Sequence, residues 1–251
     1  MFEEYQLEIL YQDKYLVAIN KPTGLLVHKS MIDRHEIYFA MKMLRDQIGQ
    51  WVYPIHRLDK PTSGVLLFAL DSETAHSMNE QFKTHTIEKI YIAVVRGYIQ
   101  ESGFIDYALS VKNDKIADKK ASEDKEAQEA QTQFKRLSIV ELPHAVGRYD
   151  KTRYSLVELT PKTGRKHQLR RHMKHLSHHM IGDTKYGRGE HNKMVREHYA
   201  CNRLLLHAIS LEFTHPYSQE RVKVSADVDE TFTLFLNLFS HSLELSPPLY
   251  K

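Results

Sequence analysis

The longest strongly apolar run in this chain, Val65 to Leu70, falls far short of the roughly 20 residues that a membrane-spanning helix needs. The core must therefore be assembled from short elements, and the turn signals between the apolar stretches mark where they break. Leu7 to Tyr11 and Leu16 to Asn20 are β-favouring runs joined by Gln12-Asp13-Lys14-Tyr15, a hairpin pattern, and Lys21-Pro22-Thr23-Gly24 is a turn. From Asp33 to Ile48, the residues Ile37, Ala40, Met41, Leu44 and Ile48 recur at helical spacing and stop at Gly49, which predicts an amphipathic helix. Tyr53 to Asp59 and Val65 to Leu70 read as strands around Lys60-Pro61-Thr62-Ser63-Gly64, followed by a helix from Ser72 to Lys83 and a strand from Lys89 to Arg96. Farther on, Thr132 to Leu142 and Arg153 to Leu159 alternate like strands, and Thr163-Gly164 turns into a basic helix from about Lys166 to Leu176. Strands Leu204 to Phe213 and Arg221 to Val224 and a helix from about Asp229 to Ser242 complete an α+β pattern.

At 251 residues, with 41% apolar and 27% charged side chains, the chain can form one large domain or two closely packed lobes, and a single domain across residues 1–251 is the expectation. Residues 112–130 are rich in Lys, Asp, Glu, Ala and Gln, with Ile116 their only large apolar side chain, and predict a charged, solvent-exposed connection. One cysteine, Cys201, excludes an intramolecular disulfide and a multi-cysteine zinc site. The start Met1-Phe2-Glu3-Glu4-Tyr5 lacks the basic and apolar stretches of a signal peptide, so the expectation is a cytoplasmic protein that enters no membrane. The net charge of +3 is small, but its distribution is uneven: Lys162 to Arg203 carries eleven Lys or Arg against Asp183, Glu190 and Glu197.

In an extended segment, Arg57 and Asp59 share one face while His56 and Leu58 share the other. Pro61 and Gly64 then force a turn immediately after Asp59, which places a carboxylate and a cation together at a strand end. The plain reading of such a pair is a turn-capping Asp beside a surface Arg; the plain reading of Tyr91, with Ala93 and Val95 on its face, is half-buried core. On a helix through Arg165 to His175, Lys166, Arg170 and Lys174 share a face that suits phosphate contacts, with Arg171 adding charge, although a solvated basic helix looks the same. His172, His175, His178 and His179 lack the Glu of an HExxH pattern, so no metal site is expected.

The whole run His56-Arg57-Leu58-Asp59-Lys60-Pro61-Thr62-Ser63-Gly64-Val65-Leu66-Leu67 resembles the catalytic motif HRLDxxTSG of the RluA-type RNA pseudouridine synthases. Lys89-Ile90-Tyr91 resembles that family's KxY strand, and Thr163-Gly164-Arg165-Lys166-His167-Gln168-Leu169-Arg170 its TGRxHQxR segment; Ile181-Gly182-Asp183 and Leu205-Leu206-His207-Ala208 follow in order. The resemblance covers roughly residues 7 to 227. It implies a mixed, mostly antiparallel central sheet flanked by helices, with a central RNA-binding cleft. It also implies a cofactor-free isomerisation, in which the N1–C1′ bond of a uridine breaks, the base rotates, and C5 joins C1′. Asp59 is then the catalytic carboxylate, attacking C6 or C1′ or removing a C2′ proton. Arg165 is expected to supply its counter-charge, Tyr91 to stack on the base and shuttle a proton, and Arg57 to fill the gap left by a flipped base.

With its first strand at Leu7 the chain is expected to carry no separate N-terminal RNA-binding module, so that RNA specificity arises in the catalytic domain, acting as a monomer without a protein partner. Lys115 to Lys119, Gly147-Arg148-Tyr149 to Arg153-Tyr154, and Lys162 to His172 are similar to the bacterial subgroup that modifies position 65 of tRNA. A member acting on ribosomal RNA and an inert RNA-binding protein on the same fold are the competing readings. A glycoside hydrolase would need a second cooperating carboxylate, which no recognised motif supplies.

Overall fold

A computed structural model describes residues 5–29, 35–110 and 126–239. Strands β1 (Glu8–Gln12), β2 (Leu16–Lys21), β4 (Ser63–Ala69), β5 (Glu88–Arg96), β6 (Ser102–Asp106), β7 (Gln131–Leu142), β8 (Thr152–Pro161) and β9 (Leu206–Thr214) form one sheet in the order β1-β2-β4-β9-β5-β8-β7-β6. The short β3 (Tyr53–Pro54) pairs with β4, and β10 (Arg221–Ser225) pairs with β9. Every pairing is antiparallel except β4 with β9, where Ser63 lies beside His207 and Gly64 beside Ala208. This is the mixed, mostly antiparallel α+β sheet that the sequence implies.

Both faces of the sheet are covered, and strand alternation decides which side chain meets which helix. On β4, Leu66 and Phe68 pack with Leu44 of helix α1 (Ala40–Ile48), while Val65 and Leu67 pack with Met78 of α2 (Ser72–Lys83). On β5, Ala93 and Val95 meet Leu169 and Met173 of α3 (Gln168–His175). Ile92 and Val94 meet Met194 and Val195 of α4 (Gly189–Tyr199) and Phe232 and Phe235 of α5 (Glu230–Phe239). Tyr91 touches both the α1 and the α3 core, so it stands at the seam between them.

Two elements differ from the sequence pattern for local reasons. The helix expected from Asp33 begins only at Ala40, because the backbone of Phe39 is extended and pairs with Leu26, and the Ala40 and Met41 amides donate to the Leu26 and Val27 carbonyls. Residues 33 and 34 of that expectation lie outside the described residues. The strand expected to run to Asp59 stops at Pro54, and residues 55–62 are irregular. Of the charged connection, residues 112–125 lie outside the described residues, and residues 126–130 run into β7. Among the described residues, no helix is long and apolar enough to cross a membrane.

Candidate active site

Asp59 sits at the head of a tight turn whose first three carbonyls are all used. The Asp59 carbonyl accepts the Thr62 amide at 2.9 Å, the Lys60 carbonyl accepts the Gly24 amide at 2.9 Å, and the Pro61 carbonyl accepts the Thr23 hydroxyl at 2.9 Å. Beneath it, the buried Lys21 Nζ donates to the carbonyls of Pro22, Leu25 and Lys60 at 2.9, 2.7 and 3.3 Å. Burial, then the nearby Arg203 charge, pulls the Lys21 pKa down to about 7, against the pull of Asp59. On the other flank, His56 Nε2 accepts the Leu67 amide at 3.0 Å and its ring stacks on Phe82. Burial, reinforced by Lys89, holds His56 near pKa 3, so the acceptor nitrogen stays unprotonated.

Gly64, just past this turn, has φ +110°, and a side-chain carbon there would run into the Ala208 carbonyl. Only glycine lets β4 approach β9 so closely. The turn is thus fixed to the sheet at both ends, which gives Asp59 a rigid mount.

The cation facing Asp59 is Arg170. Its Nη1 donates to Asp59 Oδ2 at 3.0 Å, while Nε and Nη2 grip Asp183 at 2.8 and 2.9 Å. Asp183 also accepts the Lys185 and Tyr186 amides, each at 2.9 Å. Burial opposes its ionisation, but the Arg170 hydrogen bonds and charge and those amides outweigh that and leave its pKa below the ordinary carboxylate value. Arg170 resists its own burial for the same reason, its pKa raised by the two carboxylates. His167 completes the surround: its Nε2 lies 3.8 Å from Asp59 Oδ1 and its Nδ1 is bonded to the Tyr186 hydroxyl at 2.9 Å. Burial, then Arg170, Lys185 and Lys166, hold this imidazole below its ordinary pKa, against the attraction of Asp59.

Two expectations change here. Arg165 does not make the ion pair with Asp59; its exposed guanidinium donates through Nε to the Glu129 carbonyl at 2.9 Å. Arg170 makes that pair instead and is only 5% exposed, so it cannot stand in a solvent-facing phosphate stripe. The cause is the helix start: α3 begins at Gln168, preceded by His167 in the left-handed region at φ 54°, which rotates Arg170 inward and leaves Lys166 outside the helix. Gln168, to which the sequence motif attaches no role, organises the turn, its Oε1 accepting the Thr163 hydroxyl at 2.7 Å and the Arg165 amide at 3.0 Å. Its Nε2 donates to the Gln131 carbonyl and the Thr132 hydroxyl at 2.9 and 3.0 Å.

Tyr91 lies at a β-bulge, where β5 shifts register on β9 between Ile90 and Tyr91. Such a shift re-aims a side chain. Burial, then the Asp59 charge, raises the phenol pKa, so Tyr91 presents a hydroxyl at neutral pH. Arg57 is exposed, Arg171 reaches Ser110 Oγ at 3.3 Å, and Lys174 is exposed on α3 with its Nζ 5.9 Å from the Tyr186 ring. The four histidines after Arg171 are occupied separately: His172 with Thr132 and the Tyr107 carbonyl, His175 stacked on Tyr107, His178 with the Arg96 carbonyl, His179 with the Tyr186 carbonyl.

Asp59, Arg57, Tyr91, Arg165 and Arg170 line one cleft of about 280 Å³. That is at the small end of ligand pockets, which run to about 1,000 Å³, and suits a single extruded nucleoside better than a paired stem. A carboxylate faced by a buried arginine, with a phenol and aliphatic wall alongside, can do covalent or proton-transfer chemistry on a flat polar ring.

The family model described as RNA pseudouridylate synthase matches residues 15–175, and the chain belongs to that family. It is similar to curated relatives named tRNA pseudouridine synthase C. The Vibrio parahaemolyticus relative is 55% identical over 96% of this chain and 98% of that protein. The Haemophilus ducreyi relative is 58% identical over 93% of this chain and 96% of that protein. Among solved structures, human RNA pseudouridylate synthase domain containing 4 has a TM-score of 0.66 and 29% identity, covering 92% of each chain. The enzyme class is therefore that of RNA pseudouridine-forming isomerases.

Proposed function

We propose that this enzyme isomerises the uridine at position 65 of tRNA, with Asp59 as the catalytic carboxylate, paired with and oriented by Arg170. The observation that carries the catalytic part is the Asp183–Arg170–Asp59 chain of hydrogen bonds at the floor of a one-nucleoside cleft. The tRNA substrate rests on the relatives' shared name, and the position on the resemblance of residues 147–154 and 162–172; the third supporting segment, Lys115 to Lys119, lies outside the described residues.

In this reading Asp59 engages the uridine, the N1–C1′ bond breaks, the base turns within the cleft until C5 bonds to C1′, and the C5 proton is then lost while N1 takes one up from solvent. Tyr91 stacks against the base with its hydroxyl protonated. Arg57, exposed at the rim, fills the helix behind the flipped nucleotide. Arg165, also on the rim, contacts the RNA rather than the carboxylate. No cofactor enters the scheme, and the enzyme acts alone as a cytoplasmic monomer.

Incubation with a tRNA transcript and with ribosomal RNA, followed by mapping of pseudouridine, tests the substrate. Modification confined to position 65 of the tRNA is expected; modification of the ribosomal RNA alone would overturn it.

A further inference from the structure

Several surface cations of this protein have an acidic neighbour. Lys151 and Arg153 share Glu141, Arg221 pairs with Glu212, Lys83 with Glu80, Arg45 with Asp46, and Lys60 with Glu36. Lys174, Lys185 and Arg188 form no ion pair with any described residue, and all three are exposed or partly so. The nearest acids along the chain are Asp183, whose carboxylate is taken up by Arg170 and the Lys185 and Tyr186 amides, and Glu190 in the first turn of α4; neither forms an ion pair with these three side chains among the described residues.

These cations form one patch. The Nζ atoms of Lys174 and Lys185 stand 5.9 and 6.0 Å from the centre of the Tyr186 ring. Arg188 follows two residues after Tyr186 and heads α4, and the Tyr186 carbonyl is bonded to His179 Nδ1, whose pKa is lowered by burial first and then by the charges of Arg188, Arg96 and Lys174 against the pull of that carbonyl. Arg96 is in turn fixed by its Nε bond to His191 on α4 at 3.1 Å. The patch starts at the active site, because Tyr186 is bonded to His167 and the amides of Lys185 and Tyr186 hold Asp183. Like charges held together without acids repel one another, and that cost is recovered when an anion binds. The patch offers no apolar group for insertion into lipid; Tyr186 is itself buried. Its continuity with a nucleoside cleft favours a polyanion that runs out of that cleft.

We propose that Lys174, Lys185 and Arg188 form a phosphate track that grips the RNA backbone flanking the extruded uridine, a surface separate from Arg57 and the cleft wall. This assignment rests on the substrate being a structured RNA, as proposed above. It replaces the straight helical stripe of Lys166, Arg170 and Lys174 by a track that crosses from α3 to the loop before α4. It also places docking and chemistry on the two sides of Asp183, whose carboxylate holds Arg170 and whose neighbouring loop carries Lys185 and Arg188.

The test uses the full-length enzyme and an unmodified tRNA transcript. Lys174→Gln, Lys185→Gln and Arg188→Gln, singly and together, are compared with Lys223→Gln on β10, outside the patch. Binding is measured at several salt concentrations. Each track variant is expected to lower the slope of log affinity against log salt by about 0.7–0.9 and the triple variant by about 2 to 3, while Lys223→Gln leaves it unchanged. Slopes for the triple variant matching the wild type, or a loss equalled by Lys223→Gln, would overturn the track. Pseudouridine formed by the wild type in the same samples reports separately on the proposed substrate, because the slopes decide the track whether or not the transcript is modified.

Discussion

Arg170 reaches Asp59 while Asp183 holds it from behind: two of its nitrogens donate to Asp183 at 2.8 and 2.9 Å and the third to Asp59 at 3.0 Å. Asp183 is 2% exposed and Arg170 5%, so neither can be satisfied by water if its partner is lost. The pair therefore serves both folding and the orientation of the carboxylate.

Asp183→Asn keeps the shape but removes the charge that fixes Arg170. It is expected to lower turnover more than tRNA affinity and to destabilise the fold by about 3 kcal/mol, as breaking buried pairs does. Urea unfolding beside single-turnover kinetics checks both parts; wild-type turnover would show that Arg170 needs no such support.

Arg165 and Arg170 are expected to separate. Arg170→Lys loses the forked geometry and should reduce the single-turnover rate by at least about a hundredfold, whereas Arg165→Ala, which removes a rim contact to the Glu129 carbonyl, should act mainly on binding. Equal loss of rate in both variants would return the counter-charge to Arg165.

Arg57→Ala should lower turnover more than initial tRNA affinity, since a side chain that fills the place of a flipped base acts after docking. Stopped-flow binding compared with single-turnover modification resolves the two. A loss confined to affinity would make Arg57 a docking residue.

Acid should destabilise the protein before its carboxylates titrate. His56, His191 and His207 are held mainly by burial at pKa values of about 3, 4 and 4. Each accepts a hydrogen bond through one ring nitrogen: His56 from the Leu67 amide, His191 from Arg96, and His207 from the Ser63 hydroxyl, since its other nitrogen donates to the Ala226 carbonyl. The unfolded chain binds these protons near pH 6.5 and the folded one does not, so stability is complete above that pH and falls as pH drops from about 6.5 towards 4. Urea midpoints measured from pH 7.5 to 4.5 should decline across that window; a flat profile would contradict the burial of these rings in neutral form.

The sheet was legible because its strands are short apolar runs bounded by turn residues, and α2 was legible because Asp71 caps it through the Thr74 amide. Strand β6 leaves no pattern in the sequence because Ile105 is its only buried residue, and α4 leaves none because its one buried apolar pair, Met194 and Val195, sits in a polar sequence opening on Gly189. The motif carrying Asp59 could be read directly. Its partner could not, since helical spacing places Arg170 with Lys166 and Lys174 unless the left-handed His167 is known to delay the helix. Asp183, one of only three acids between Lys162 and Arg203, was the available signal.

The most direct test of the account is Asp59→Asn, which keeps the hydrogen-bonding volume beside Arg170 and removes the charge. Binding to a tRNA transcript and pseudouridine formation under single turnover should be measured on the same preparation. Affinity within a few-fold of wild type with no detectable pseudouridine is the predicted result, because phosphate contacts dominate binding and the carboxylate performs the chemistry. Pseudouridine formed by Asp59→Asn at a rate near wild type would contradict the assignment of Asp59.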